Sequence, residues 1–163
     1  MQTPAETTLT TYLVAEQARF YRLAYSYLHQ REDALDAVQT AVCRALERQD
    51  SLRSPDLLRP WFYRILVNTC LDALRRRGRV VPLSEWEETG QEDPPPPDED
   101  LARRVEALPP AISTVIKLRF YEDLTLREIG TVTGSGVNTV KSRLYTGLKK
   151  LRISMEGESN EEI

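Results

Sequence analysis

The stretch LTLREIGTVTGSGVNTVKSRLYTGLKKLRI, residues 124–153, decides the fold of the C-terminal part of the chain. Thr125 can cap the N-terminus of a helix while Glu128, three residues later, reaches back to the backbone N–H of Thr125, as in a capping box. Gly130 allows a neighbouring helix to approach closely, and a Gly-Ser-Gly turn at 134–136 follows. A short capped helix, a glycine turn and a further helix predict a helix-turn-helix.

The second helix of this motif, predicted at about 137–153, has two different faces. The stripe expected to be buried consists of Val140, Leu144, Leu148 and Leu151. The opposite face carries Asn138, Lys141, Ser142, Tyr145, Lys149 and Arg152. Lysine and arginine bind phosphates, whereas asparagine, serine and tyrosine can reach base edges, so this face predicts DNA binding. The alternative interpretation is a solvated helix with an ordinary charged face.

Charge is segregated along the chain, although the net charge is only −3. Residues 60–79 contain five arginines and a single acid, Asp72, and residues 138–152 contain five basic residues and no acid. Residues 84–100 contain eight acids and neither lysine nor arginine. A nucleic-acid binder is usually basic overall, so the net charge of −3 counts against DNA binding. The distribution of charge matters more than the sum, because the average conceals two basic segments that could bind DNA.

Four consecutive prolines at 94–97 mark the boundary between two domains. Such a run cannot continue a helix or pair in a sheet, and the acids around it repel one another. We predict a flexible Pro-rich acidic linker over 80–98, domains over 1–79 and 99–155, and a disordered tail over 156–163. Every strong periodicity outside the linker is helical, so the predicted fold class is all-α with two small helical domains.

Three apolar patterns predict the helices of the N-terminal domain. The first comprises Leu9, Tyr12, Leu13, Phe20, Leu23, Ala24 and Tyr27, and the second comprises Leu35, Val38, Val42, Ala45 and Leu46. The third helix is predicted from about Pro60, a suitable first-turn residue, to Gly78, a natural stop.

One face of the third helix carries Arg64, Asn68, Asp72 and Arg75 at helical spacing. An amide flanked by arginines and near the aromatic residues at 61–63 suits hydrogen bonding to a base removed from the stack. An equally good interpretation makes the aromatic residues core and lets the arginines solvate the helix end.

Few residues suit catalysis or metal binding. His29 is the single histidine, and Cys43 and Cys70 each lie in an apolar helical pattern where a buried thiol is expected. No apolar run approaches the ~20 residues that span a bilayer, and the N-terminus lacks the pattern of a secretory signal. These observations leave an enzyme open, and an RNA-modifying or phosphate-handling enzyme is a distant third alternative, but the usual catalytic parts are missing. Our prediction is a cytoplasmic protein with no cofactor, metal, small-molecule substrate or catalytic activity.

Short motifs occur in the order of a known family. They lie at 24–28, 31–39, 61–68, 108–110, 128–130 and 139–144. Over roughly residues 10–153 the chain resembles the extracytoplasmic-function class of sigma-70-type RNA polymerase sigma factors, reduced to regions 2 and 4. The resemblance implies an alternative sigma factor that directs core RNA polymerase to −35/−10 promoters and initiates transcription.

The resemblance also implies roles for individual residues. The helix at 33–39 resembles region 2.2, which docks on the β′ clamp helices, and the implied polymerase contacts are Asp33, Leu35, Asp36 and Gln39. The loop 48–59 and the helix 61–77 resemble regions 2.3 and 2.4, which open and read the −10 element. The implied −10 contacts are Trp61, Arg64, Asn68, Arg75 and Arg76, with Asn68 holding a flipped-out base.

The segment 125–152 resembles region 4.2, which reads the −35 element in the major groove while its domain contacts the β flap. The implied −35 contacts are Asn138, Thr139, Lys141, Ser142, Arg143, Tyr145, Thr146 and Lys149. Related proteins are commonly held inactive by a membrane-anchored anti-sigma factor. The implied partners are therefore core polymerase, promoter DNA and such an inhibitor.

Several positions depart from the family pattern. Thr40 stands where an acid is usual, and Gly136 replaces the usual Ser or Thr cap of the recognition helix. Thr133 and Ser135 replace apolar turn residues, which should leave the turn less well packed. Arginine is frequent in the family at the positions that Thr146 and Leu148 occupy here.

The alternative function is a stand-alone transcriptional regulator that uses the helix-turn-helix and carries an N-terminal dimerisation or sensor domain. The motif at 125–152 suits both functions. The helix at 33–39 and the arginine-bearing helix at 61–77 suit only a sigma factor.

Overall fold

A computed structural model describes residues 4–79 and 99–161 of the chain. All regular secondary structure in these two ranges is helical, which confirms the all-α prediction. The chain divides into two compact units, Met1–Pro94 and Pro95–Ile163. The predicted linker over 80–98 lies outside the described residues, so its flexibility and the domain limits stay predictions.

The described part of the first unit, residues 4–79, contains four α-helices and two short 3-10 turns. The helices are α1 (Pro4–Ala15), α2 (Gln17–Leu28), α3 (Arg31–Glu47) and α4 (Leu58–Arg79), and the turns between α3 and α4 are Gln49–Ser51 and Pro55–Leu57. Helices α2, α3 and α4 pack against one another, and α1 packs against α2. The predicted third helix corresponds to α4, which holds Pro60 in its first turn and passes through Gly78 to Arg79.

Aromatic rings fill the centre of this unit. The ring of Phe20 lies 4.5 Å from that of Phe62 and 5.7 Å from that of Tyr63, with Tyr12 at 5.6 Å from Phe20. Phe62 and Tyr63 are buried, whereas Trp61 is half-exposed. The aromatic run is thus divided, with two rings in the core and one at the surface.

The first apolar pattern belongs to two helices rather than one. Glu16 has φ −104° and ψ 12°, outside helical values, and separates α1 from α2. Backbone hydrogen bonds bridge this residue, from the Glu16 N–H to the Tyr12 carbonyl and from the Phe20 N–H to the Glu16 carbonyl. The buried stripe continues across this break, from Leu9 and Leu13 to Phe20, Leu23 and Tyr27. His29 ends α2 in a left-handed conformation with φ 58°.

Helix α3 buries a face of mainly small residues, which are Ala34, Ala37, Val38, Ala41 and Ala45. The apolar pattern predicted that larger residues of this helix would be buried. That prediction is wrong at Leu35 and Leu46, which are 44% and 43% exposed. Alanines let α3 approach α2 and α4 closely, so the helix is rotated with the two leucines outside. The prediction of a buried thiol is confirmed at Cys70 and wrong at Cys43, which is exposed on α3.

The second unit contains α5 (Glu99–Glu106), α6 (Pro110–Ile116), a π-helical turn (Lys117–Tyr121), α7 (Leu126–Thr133) and α8 (Val137–Glu161). Its core is built from Val105, Ile116 and Leu151, with Leu108 and Leu144 packed against it. Helix α8 runs eight residues beyond the predicted end near Ile153, into the segment predicted to be a disordered tail. The segment 154–161 contains one glycine and no proline, so little opposes the continuation of the helix.

An ion pair that the sequence did not indicate lies inside the second unit. Lys117 is almost fully buried, and its ammonium nitrogen lies 2.6 Å from Glu106 Oε1. A buried ammonium needs such a partner, because an unpaired charge away from water is strongly unfavourable. The pair joins the end of α5 to the π-helical turn.

Within 4–79 and 99–161, no helix combines the length and the apolar character needed to cross a membrane.

Candidate nucleic-acid interface

A reciprocal capping box fixes the start of α7. The Glu128 N–H donates to Thr125 Oγ1 at 3.1 Å, and the Thr125 N–H donates to Glu128 Oε1 at 2.9 Å. Both bonds were predicted from the spacing of the two residues, and both are confirmed.

The turn after α7 depends on two glycines for different reasons. Gly134 has φ 67°, a left-handed conformation that strongly favours glycine. A Cβ on Gly130 would lie 2.7 Å from the carbonyl oxygen of Ser135, and the Ser135 N–H donates to the Gly130 carbonyl at 2.9 Å. The close approach predicted at Gly130 is therefore made by the turn itself rather than by a neighbouring helix.

Polar residues in the turn make hydrogen bonds where the family pattern has apolar packing. The Arg143 guanidinium donates to Ser135 Oγ at 3.0 Å, and the Thr133 hydroxyl donates to the Ile129 carbonyl at 2.8 Å. Arg143, a predicted −35 contact, is half-buried and ties α8 to the turn. The polar turn is thus held by directional bonds.

The buried side of α8 differs from the predicted stripe at one position. Val140 and Leu151 are buried and Leu144 is half-buried, but Leu148 is 38% exposed, so the prediction is wrong there. The buried position is Gly147, where a Cβ would lie 2.9 Å from Ile112 Cγ2 and 3.0 Å from Ile116. Glycine lets α8 touch α6 at this point, which displaces Leu148 to the side.

The outer face of α8 holds the remaining predicted −35 contacts. All of them are exposed, namely Asn138, Thr139, Lys141, Ser142, Tyr145, Thr146 and Lys149. Tyr145 is 68% exposed, so its ring and hydroxyl are accessible to a partner. Segment 138–152 contains no acid to repel phosphates, so the face suits insertion into a DNA groove.

A second polar surface lies along α4. Arg64, Asn68, Arg75 and Arg76 are exposed, so four of the predicted −10 contacts lie at the surface of one helix. Asp72 lies between them and is only half-buried. Its Oδ1 accepts a hydrogen bond from Arg75 at 3.2 Å.

The fifth predicted −10 contact, Trp61, joins α4 to the loop before it. Its indole N–H donates to Ser51 Oγ at 3.1 Å, and the Ser51 hydroxyl donates to the Arg48 carbonyl at 2.7 Å. The half-exposed ring therefore braces the 3-10 turn at Gln49–Ser51, within the loop predicted to take part in −10 recognition.

The predicted polymerase contacts on α3 divide into two groups. Asp33 is half-buried and accepts a hydrogen bond from Arg77, whose guanidinium also donates to the Leu28 carbonyl at 2.7 Å. Asp33 thus helps to fasten α4 to the corner between α2 and α3. Leu35, Asp36 and Gln39 are exposed.

Leu35 and Gln39 lie on a longer stripe of α3 that also contains Val42 and Leu46, two residues of the predicted apolar pattern. Residues 35, 39, 42 and 46 share one face at helical spacing, and Leu46 is exposed while Val42 is half-buried. Periodicity alone could not identify this face, because α3 has apolar residues on both sides.

The described parts of both units hold no group of three or more His, Cys, Asp or Glu side chains that could bind a metal ion.

Two family models match the chain. Sigma-70 region 2 matches residues 13–80, and Sigma-70, region 4 matches residues 105–152. The RNA polymerase sigma factor SigV of Bacillus subtilis is 41% identical over 154 residues, which are 92% of this chain and 92% of that protein. The ECF RNA polymerase sigma-E factor of Escherichia coli is 32% identical over 131 residues, 69% of each chain.

Solved structures show the same fold. The sigma factor RpoE of Bartonella quintana, in complex with the anti-sigma factor NepR, matches with a TM-score of 0.72 and 21% identity over 90% of this chain and 96% of that one. CnrH, in complex with the cytosolic domain of CnrY, matches with a TM-score of 0.70 and 21% identity over 91% and 88% of the two chains.

Proposed function

The chain belongs to the extracytoplasmic-function class of the sigma-70 family of RNA polymerase sigma factors, and from this premise we propose which surfaces bind polymerase and promoter. It is an alternative sigma factor, which directs core RNA polymerase to promoters and starts transcription. The observation that carries this function is the presence of region 2 and region 4 in one chain. A stand-alone regulator has no need of region 2. Sigma factors in general are not enzymes, and the proposed role requires no catalytic residue or cofactor.

The α4 surface is proposed to open and read the −10 element. Asn68 takes the base removed from the stack, while Arg64, Arg75 and Arg76 bind phosphates of the same strand. Their shared exposure on one helix supports this arrangement. Trp61 contributes mainly by bracing the loop through Ser51, since its N–H already has an acceptor.

The outer face of α8 is proposed to enter the major groove at the −35 element. Lys141, Ser142 and Tyr145 face base edges near the start of the helix, and Lys149 binds phosphate further along. Arg143 holds the turn, because its guanidinium bonds Ser135. Asn138, Thr139 and Thr146 complete the exposed surface.

The exposed stripe of α3 is proposed to dock on the β′ clamp helices of the polymerase. Leu35 is an exposed leucine with an acid, Asp36, and an amide, Gln39, beside it, a combination suited to an apolar contact with a polar rim. The structure favours extending this surface to Leu46. Asp33 acts indirectly, by holding α4 in place through Arg77.

An anti-sigma factor anchored in the membrane is the proposed inhibitor, and the chain itself is proposed to work in the cytoplasm. The relative RpoE is described in complex with the anti-sigma factor NepR, and CnrH with the cytosolic domain of CnrY. The region 4 domain is also proposed to contact the β flap of the polymerase.

Run-off transcription with purified core polymerase tests the proposed function. Core enzyme and this chain together should start transcription at sites that neither component uses alone, and mapping those sites genome-wide would identify the −35 and −10 sequences. Failure of the chain to co-purify with core polymerase, together with tight specific binding to duplex DNA, would support a stand-alone regulator instead.

A further inference from the structure

A line of charged side chains connects α3 to the proposed −10 surface of α4. Arg44 on α3 donates to Thr69 Oγ1 at 2.9 Å, and the same guanidinium nitrogen lies 3.6 Å from Asp72 Oδ2. The other carboxylate oxygen of Asp72 accepts from Arg75 at 3.2 Å. Asp72 is therefore shared between an arginine on each helix.

Asp72 is the one acid in the basic segment 60–79. It lies one helical turn beyond Asn68, and its side chain is 42% exposed. An acid at this place repels the phosphates of a strand whose base is held at Asn68, and it also neutralises Arg75. The charge of Arg44, supplied from the neighbouring helix, offsets this effect and leaves the three groups with a net charge of +1.

A purely structural role explains these contacts less well. Ion pairs between partly exposed side chains, such as Arg44 at 31% and Asp72 at 42%, stabilise proteins little. The buried Thr69 hydroxyl already donates to the Ile65 carbonyl at 2.7 Å, so its proton has an acceptor without Arg44. What Arg44 adds is mainly positive charge beside Asp72.

We propose that Arg44 is a positioning residue for promoter opening, which acts through Asp72 and leaves Arg75 able to bind a phosphate of the −10 strand. Because the proposal rests on the proposed −10 surface, its test must separate the two. The sequence did not predict this role for Arg44, because Arg44 comes close to Asp72 and Arg75 only in the folded protein.

The test measures how tightly holoenzyme binds a forked promoter DNA with a single-stranded −10 element, over a range of KCl concentrations. The promoter is one on which the holoenzyme gives a run-off transcript. Arg44→Ala should weaken binding and reduce the salt slope by about 0.7, the value for one phosphate contact to a single strand. Arg44→Lys, which keeps the charge, should behave as the unchanged chain does.

The decisive variant combines Arg44→Ala with Asp72→Asn. Removing the acid together with Arg44 restores the net charge of +1, so affinity and salt slope should return to the original values. Asp72→Asn alone should give a salt slope at least as steep as that of the unchanged chain. If the double variant is as weak as Arg44→Ala, or if Thr69→Val is equally weak, Arg44 acts by fastening the helices and the proposal is wrong.

Two controls separate this outcome from failure of the −10 surface. Binding to core polymerase should be the same for Arg44→Ala, Arg44→Lys, Asp72→Asn and the double variant, and each should remain folded at the assay temperature. Asn68→Ala, measured in parallel, reports on the surface itself. A normal Asn68→Ala protein overturns the −10 assignment, whereas a defective one with no rescue in the double variant overturns only the role of Arg44.

Discussion

At the scale of single residues, Asn68 carries the clearest expectation, because its amide offers both a donor and an acceptor to the edge of a base. Asn68→Ala removes both and should reduce promoter opening by about 1–3 kcal/mol, the range for a lost base contact. Folding and polymerase binding should be intact, since the side chain is exposed. Counting heparin-resistant open complexes measures the defect.

A changed −10 base provides the control for Asn68. On a promoter whose −10 base is changed at the position that Asn68 contacts, the contact is lost even with the unchanged chain. Asn68→Ala should therefore cause little further defect on that promoter. Full activity of the variant on every −10 sequence contradicts the assignment, and loss of polymerase binding would make Asn68 a structural residue.

Leu35 offers a second prediction at this scale. Leu35→Asp should weaken binding to core polymerase by about tenfold or more, because burying a leucine at an interface contributes about 1.5–3 kcal/mol. Val14→Asp is a matched control, since Val14 is a more exposed apolar residue on a different helix, α1. Equal weakening by both changes in a pull-down titration would show that α3 has no special role.

At the scale of elements, the helix-turn-helix has one glycine that a larger residue can replace and one that it cannot. Gly136 has no neighbour within 4 Å of an added Cβ and no left-handed φ, so Gly136→Ser should stabilise the second unit by about 0.5–1 kcal/mol. Gly130→Ala should instead destabilise it by about 1–3 kcal/mol, because its Cβ meets the Ser135 carbonyl. Amide hydrogen exchange in α7 and α8 of the intact chain measures both. Effects of the same sign would contradict this account of the turn.

The outer face of α8 should divide by function. Lys149→Ala should weaken holoenzyme binding equally on all −35 sequences and reduce the salt slope by about 0.9, as expected for one phosphate contact to duplex DNA. Ser142→Ala and Tyr145→Ala should alter the preference among −35 sequences and leave the salt slope nearly unchanged. Binding measured against a panel of −35 variants distinguishes them, and a uniform loss in all three would show that the division is wrong.

At the scale of the whole molecule, the chain alone is expected to bind promoter duplex weakly. Its net charge is −3, the acids of 84–100 compete with DNA for the basic surfaces, and the −10 surface needs separated strands. Fluorescence anisotropy should show a clear gain in affinity for the same duplex when core polymerase is added. Nanomolar, sequence-specific binding by the chain alone would instead favour a stand-alone regulator.

Sequence by itself determined those features of the protein that depend on neighbours a few residues apart. The capping box of Thr125 and Glu128, the glycine turn at 134–136 and the helical periods are of this kind, because each is set by bonds or torsions within one or two turns. The ordered motifs identified the family for the same reason. The residues of both proposed DNA surfaces could therefore be predicted from the sequence. Two of them, Arg143 and Trp61, also make hydrogen bonds within the protein, to Ser135 and Ser51.

Tertiary structure alone decided how each helix is rotated and which charges are already paired. Leu46 and Leu148 belong to apolar patterns that predicted burial, but small residues on the adjacent faces, alanines in α3 and Gly147 in α8, permit closer packing and leave these leucines outside. Asp33 with Arg77, and Arg44 with Asp72, are pairs separated by tens of residues, and no local pattern brings them together. The physical reason is that rotation and pairing depend on the shape and charge of the element opposite, which only the folded chain supplies.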